Sequence, residues 1–258
     1  MKKATAGGWA MLPVLVLMLG GPASGKDVAA VTLPRGARVG VVNLLDSEVT
    51  HFHGSTDIKA SFLKTQHVDW PVDSMLNEAV KQRLTQMGLE QVPMVPSEGL
   101  VRGRQDWFID NAATKSLPKQ CATELTQMAA RERLDALLVL APGLNDGPHA
   151  TYTRRKDLPD YLRGWGFATK ANDTPGAKPE VFNMTEMLLI SARGGTALLR
   201  DVSWGGAVTA LPWSSFSADP TTKEMPPEEL EKLKPIYLDV LGRQAGRLLD
   251  HVEVIGTP

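Results

Sequence analysis

The chain has 258 residues, 43% hydrophobic and 22% charged, an ordinary balance for a globular protein. Its 28 basic and 29 acidic residues give a net charge of -1, so no charge excess draws it to nucleic acid or to an anionic membrane surface. A single cysteine, Cys121, excludes an intrachain disulfide.

Residues 1–25 have the layout of an export leader. Lys2 and Lys3 form a basic start, Trp9 to Leu19 a short apolar run, and Ala23-Ser24-Gly25 a small-residue site for a peptidase. The run is shorter than the roughly 20 apolar residues needed to cross a bilayer. Cys121 lies far from the leader, whose end offers no cysteine to carry a lipid. These features predict a periplasmic protein, exported, not lipidated and without a stable membrane anchor once the leader is removed.

Residues 26–258 read as one α/β domain with insertions near 46–70 and 205–227. Lys26 to Gly36 is a short extended lead-in. Arg38-Val-Gly-Val-Val-Asn-Leu-Leu45 is apolar on both alternating faces, as in a central strand covered on both sides. Val72, Leu76, Ala79, Val80, Leu84 and Met87 follow at helical spacing, with Gly88 placed to end that helix. Leu89 to Val95 predicts a second strand, pushed towards an edge by Pro93. Ser97 would cap a short helix within Ser97 to Asn111. A longer helix, Lys119 to Arg133, carries Cys121, Leu125, Met128 and Ala129 on one face and runs into an Ala136 to Ala141 strand.

After Pro142, Tyr161 to Lys170 and Val181 to Ala192 read as strands. Arg193-Gly194-Gly195-Thr196 has hairpin-turn chemistry, and Ala197 to Trp204 returns. Gly205 to Pro227 is a long Gly/Pro/Ser-rich connection. A closing helix, starting or breaking at Pro235, carries Leu233, Tyr237, Val240, Leu241, Leu248 and Val252 as its stripe. The expected architecture is a mixed β-sheet flanked by helices in two or three layers, with a C-terminal hairpin and closing helix.

This order resembles the periplasmic α/β domain shared by the curli-secretion lipoprotein, the lipoprotein activator of a penicillin-binding protein and the amino-terminal domain of TolB. The residues that carry the likeness are Val39-Gly-Val-Val-Asn-Leu-Leu45, Leu84-Thr-Gln-Met-Gly-Leu-Glu-Gln-Val92, Arg131-Glu-Arg-Leu-Asp-Ala-Leu-Leu-Val-Leu140 and the Ile190 to Trp204 hairpin. The chain departs from the group in lacking a lipidated cysteine and in its Asp46–Trp70 and Gly205–Pro227 segments. The resemblance implies a non-enzymatic role in envelope assembly, exercised by binding another envelope protein.

The sharpest chemical feature is His51-Phe-His53, with His67 and Asp69 downstream. If Val49 to His53 is a strand, both histidines share a face, and with His67 they could hold zinc or copper. Two polar residues on a strand's wet face would explain them equally. Cys121 reads as a buried small hydrophobe, and no Gly-x-Ser-x-Gly elbow is present. His149 and His251 stand isolated. Gly164-Trp-Gly166 lies in a strand and so cannot cradle a phosphate at a helix start.

Glu228-Glu229 reads as first-turn carboxylates favouring a helix dipole, and Arg154-Arg-Lys156 as a solvated loop. Trp204, Trp213 and Phe216 either fold back over the sheet or dock a partner. No residue is assigned a catalytic, cofactor or metal role. The expectation is a non-catalytic envelope binding or accessory protein without cofactor. Its alternative is a metal-dependent periplasmic enzyme or metal-binding protein using His51, His53 and His67.

Overall fold

Arg38–Asn43 (β2) is the central strand that the Val-rich run predicts: Val39 and Val41 are buried on one face and Val42 on the other. Burial on both faces follows from its neighbours. Glu90–Met94 (β5) and Ala136–Pro142 (β6) flank it, both parallel to it. Parallel neighbours need crossovers. Val72–Gln86 (α1) supplies the first, and Glu98–Arg104 (α2) with Lys119–Glu132 (α3) the second. These elements belong to a computed structural model that describes residues 31–55, 57, 59–104, 117–143, 163–170, 178–193, 195, 197–204 and 209–256.

The helices lie on opposite faces of the sheet. Leu76, Val80 and Leu84 of α1 join Val39, Val41 and Leu138 in one core, and Cys121, Leu125 and Met128 of α3 join Val42, Leu137 and Val139 in the other. A fully buried leucine contributes about 1.5–3 kcal/mol in such a place. The fold is therefore α/β with a mixed sheet flanked by helices. Gly88 ends α1 at φ 72°, while the Leu89 N–H reaches back to the Leu84 carbonyl at 2.9 Å. Arg133 plays the same part after α3 at φ 54°, and the Arg38 guanidinium donates to the open carbonyls of Glu132 and Arg133.

Pro93 is at an edge, as its chemistry predicts. The Glu90 N–H bonds the Ala37 carbonyl, so alternate residues 91 and 93 direct their nitrogens away from β2. Proline's missing donor then costs no ladder bond.

Gly164–Lys170 (β7), Glu180–Ser191 (β8) and Ala197–Trp204 (β9) match the predicted strands, and Tyr161 lies outside the described residues. The 12 residues of β8 organise this half. It pairs antiparallel with β6 along residues 185–191 and with β7 along residues 180–184. Strand β9 and the short Thr209–Ala210 (β10) pair with it as well.

The Asp46–Trp70 segment, expected as an insertion, contains Glu48–Gly54 (β3) and Phe62–His67 (β4), both strands of the main sheet. Strand β3 runs parallel to β7 and antiparallel to β4, so the order is β4-β3-β7-β8-β6-β2-β5. Val252 does not belong to the closing helix. The segment forms Pro227–Glu231 (α4) and, after a break at Lys232 and Leu233, Lys234–Leu249 (α5), which starts with Pro235 in its first turn and stops before Val252. Val252–Ile255 (β11) instead pairs in parallel with Val31–Pro34 (β1), the core of the predicted lead-in. The alternating, β-branched Val-Glu-Val-Ile sequence suits that pairing better than a last helical turn.

Three aromatic residues tie α4 and α5 to β3 and β7. Tyr237, fully buried, donates its hydroxyl proton to the Gly166 carbonyl at 2.5 Å, and burial holds that hydroxyl well above its usual pKa. The Trp165 indole donates to the Glu48 carbonyl at 2.7 Å and the Trp70 indole to the Glu231 carboxylate at 2.6 Å. Gly166 lets β3 come this close: a Cβ there would stand 2.0 Å from the Thr50 carbonyl oxygen. That close approach sets the geometry of the site described next.

Candidate functional site

Alternation along β3 puts Val49, His51 and His53 on one face, as their spacing predicts, and all three are buried. Strand register supplies their neighbours. Lys64 of β4 and Phe167 of β7 stand opposite His51, and Phe62 and Thr169 stand opposite His53. The His51 ring stacks on Phe167 with centroids 4.1 Å apart and meets the edge of Phe62 at 4.9 Å. His53 stacks on Phe62 at 5.1 Å. Between the imidazoles sits one hydroxyl. Thr169 Oγ1 is 2.9 Å from His51 Nε2 and 2.9 Å from His53 Nδ1.

Residues 211–226 form a strap over this face. Phe216 is buried and lies 6.1 Å from Phe167 between ring centroids. Met225 is held by the Gln66 side chain, which donates to its carbonyl at 3.0 Å and accepts its N–H at 2.9 Å. Lys64 pairs with Glu224 at 2.7 Å. At the other end, the Ser217 N–H lies 3.0 Å from both oxygens of the buried Glu229 carboxylate. Lys232 completes that anchor at 2.8 Å from Glu229 and 3.2 Å from the Ser215 carbonyl. Asp219, at the bend, accepts from the Thr221 N–H and hydroxyl.

Burial controls the electrostatics. Desolvation first, then the neighbouring His53, lowers the pKa of His51 to about 3, and the Lys223 backbone opposes the shift. His53 is also lowered by burial, against the pull of Asp219. Both rings are therefore neutral near pH 7. Hydrogen bonds lower the nearby carboxyl groups: Lys232 for Glu229, Thr221 for Asp219 and Lys64 for Glu224. The chemistry open to the pair is movement of a proton along an imidazole–hydroxyl–imidazole chain.

The third histidine of the metal alternative lies elsewhere. His67 pairs with Glu48 at the opposite end of the β3–β4 ladder from His53; it is exposed and 3.6 Å from Asp69. Among the described residues no group of three or more His, Cys, Asp or Glu side chains could hold a metal ion. The wet-face reading is corrected too, since aromatic rings and the strap bury His51 and His53.

Cys121 is buried on α3, and burial, with the Glu124 charge, raises its thiol to about 12. His251 is exposed after α5. His149 and Arg154–Lys156 lie outside the described residues, as do the side chains of Trp204 and Trp213. Of the aromatic loop, Phe216 folds back on the sheet.

Sequence reasoning missed Thr169 and the inward turn of Glu229. Thr169 has no motif; only the alternation of Trp165, Phe167 and Thr169 places it on the histidine face. Glu229 does sit in the first turn of a helix, but α4 has five residues and the carboxylate turns in to the strap.

No family model matches the chain, and no curated protein matches it. Among solved structures it is similar to the lipoprotein GNA1162 from Neisseria meningitidis, with a TM-score of 0.25 and 12% identity, covering 65% of this chain and 84% of that one.

Proposed function

We propose that the chain is an exported, non-catalytic binding or accessory protein of the bacterial cell envelope. The leader at residues 1–25 supports the export. Among the described residues no helix is long and apolar enough to cross a membrane. The observation that carries the non-catalytic reading is the enclosure of the histidine pair. Both rings are packed between Phe62, Phe167 and the strap, and the one hydroxyl between them, Thr169, is itself fully buried, so a substrate has no open path to it among the described residues. The metal-dependent alternative needed His67 beside them, and β4 carries it to the far end of the ladder.

Two measurements test this reading. The full-length chain, expressed with a C-terminal tag in a Gram-negative host, should appear in the periplasmic fraction shortened by about 25 residues at its N-terminus. Retention in the cytoplasm with the leader intact would overturn the export. Site-specific crosslinking in intact cells should then give one reproducible adduct with an envelope protein, and a chain that yields none has no accessory role of this kind.

A further inference from the structure

The path of the main sheet ends at β4 on one side and at β5 on the other, and the two ends are finished differently. An edge strand shows a row of open N–H and C=O groups, which proteins blunt with proline, charge or a cover. On β5 the outward positions are Gln91 and Pro93. Proline has no N–H to offer, and the Gln91 side chain is turned to Asn77 of α1 at 2.7 Å. Strand β4 contains no proline.

The β3–β4 register fixes which groups of β4 are open. The Val68 N–H bonds the Ser47 carbonyl at 2.9 Å. The pairs that exchange hydrogen bonds are therefore Val49–Gln66, His51–Lys64 and His53–Phe62. Leu63, Thr65 and His67 direct their N–H and C=O groups away from β3. All three residues are exposed, and among the described residues no hydrogen bond reaches these backbone groups. Lys64 is no guard for the edge, since Glu224 of the strap neutralises it at 2.7 Å.

We propose that β4 joins β4 of a second copy of this chain, antiparallel, about a two-fold axis at Thr65, so that one sheet runs through both. A strand that pairs with itself must set open groups against open groups. For the fullest overlap of residues 62–67 the axis then passes through Lys64 or Thr65. An axis at Lys64 would hold the two lysines directly opposite, with Cα atoms about 4.5 Å apart, and like charges so placed destabilise a sheet. An axis at Thr65 sets Thr65 against Thr65, Leu63 against His67 and Lys64 against Gln66. Gln66 holds Met225, the neighbour of Glu224. Each Lys64 therefore lies between its own Glu224 and that of the second copy, and the exposed Leu63 gains an imidazole to cover it. The matching charges are carried by β4 and its strap themselves, which selects a second copy as the occupant.

A ladder of so few residues is a small interface, so the dimer should be reversible, with a dissociation constant on the order of micromolar. Sedimentation equilibrium of the purified full chain, as its Gram-negative host processes it, should show monomer giving way to dimer across that range. Thr65→Pro removes an N–H that makes no ladder bond to β3, so the monomer should stay folded while association weakens at least about tenfold. Thr65→Val keeps the N–H and should keep the dimer. Thr65→Cys should crosslink to itself under mild oxidation, because a hydrogen-bonded antiparallel pair sets its Cα atoms about 5.5 Å apart, within disulfide reach. Leu63→Cys should not, since its counterpart stands out of register. Cys121 is buried and does not compete.

A chain that stays monomeric well above micromolar concentration overturns the proposal and leaves the edge to a strand of another protein. A dimer that Thr65→Pro leaves intact overturns it too, as does any species larger than two, because a two-fold edge closes on itself. If Thr65→Pro does not fold, the cysteine variants decide: crosslinking of both alike, or of neither, overturns the proposal.

Discussion

The side chain of Gln66 pairs with the backbone of Met225 as one strand pairs with another, donating at 3.0 Å and accepting at 2.9 Å. This two-way bond clamps the strap to the edge strand β4. In Gln66→Ala both bonds are lost, leaving a part-buried N–H and carbonyl on Met225. The loss should cost about 1–3 kcal/mol in denaturant unfolding. Hydrogen exchange at the Met225 amide should rise well above that of the β8 amides, and unchanged exchange would show that the clamp does not hold the strap.

Acid should weaken the fold through His51. Its folded pKa, about 3, lies below the unfolded value near 6.5, so the unfolded chain binds the extra proton between those limits. Stability is then fully present above pH 6.5 and falls as pH drops towards 3, by about 1.4 kcal/mol per pH unit for one proton. His53, also lowered, adds to the slope. Urea unfolding between pH 7 and pH 4 should show His51→Gln with a slope shallower by one proton than the wild type. Equal slopes would place the acid sensitivity in other groups.

Gly166→Ala should separate the site into its two strands. The new methyl would lie 2.0 Å from the Thr50 carbonyl oxygen and 2.4 Å from the Phe182 ring, so backbone as well as side chain must move. A cost of at least about 1–3 kcal/mol follows from overpacking. The Tyr237 and Trp165 contacts should loosen with it, a change that near-ultraviolet circular dichroism reads directly.

Glu229→Gln removes the charge that gathers Lys232 and the Ser217 N–H at the far end of the strap. Hydrogen bonds to charged groups contribute about 1.5–3 kcal/mol, so a loss of that order is expected in thermal unfolding monitored at neutral pH. Because hydrogen bonding lowers the carboxyl pKa, its contribution is present above the unfolded carboxyl value and lost as pH falls through the folded one. Below that range the variant and the wild type should converge.

Much of the fold could be read from local chemistry. Val39 to Val42 announced a strand covered on both faces, Pro93 announced an edge, and Gly88 ended its helix. The histidine face was also legible from alternation. Its surroundings were not, because they come from strands distant in sequence: Thr169 reaches His53 only through the β3–β7 register. The full pair of strands inside Asp46–Trp70 was hard to see because β3 and β4 are half polar, their wet positions hiding the pattern that marks β2 and β6. The short β11 failed for a different reason. Four residues after a long helix extend its apolar stripe by coincidence, and only pairing with β1 decides between the two states.

The β1–β11 ribbon brings Val31 beside Val252, so the first of the described strands must wait for the last of them. A chain delivered through a membrane with its N-terminus leading would carry β1 unpaired until residues 252–255 arrived. Closure of this ribbon is therefore a late step of folding. Cutting the chain after Leu249 should leave β1 open while the central sheet stays paired, a fault at the seam rather than in the cloth.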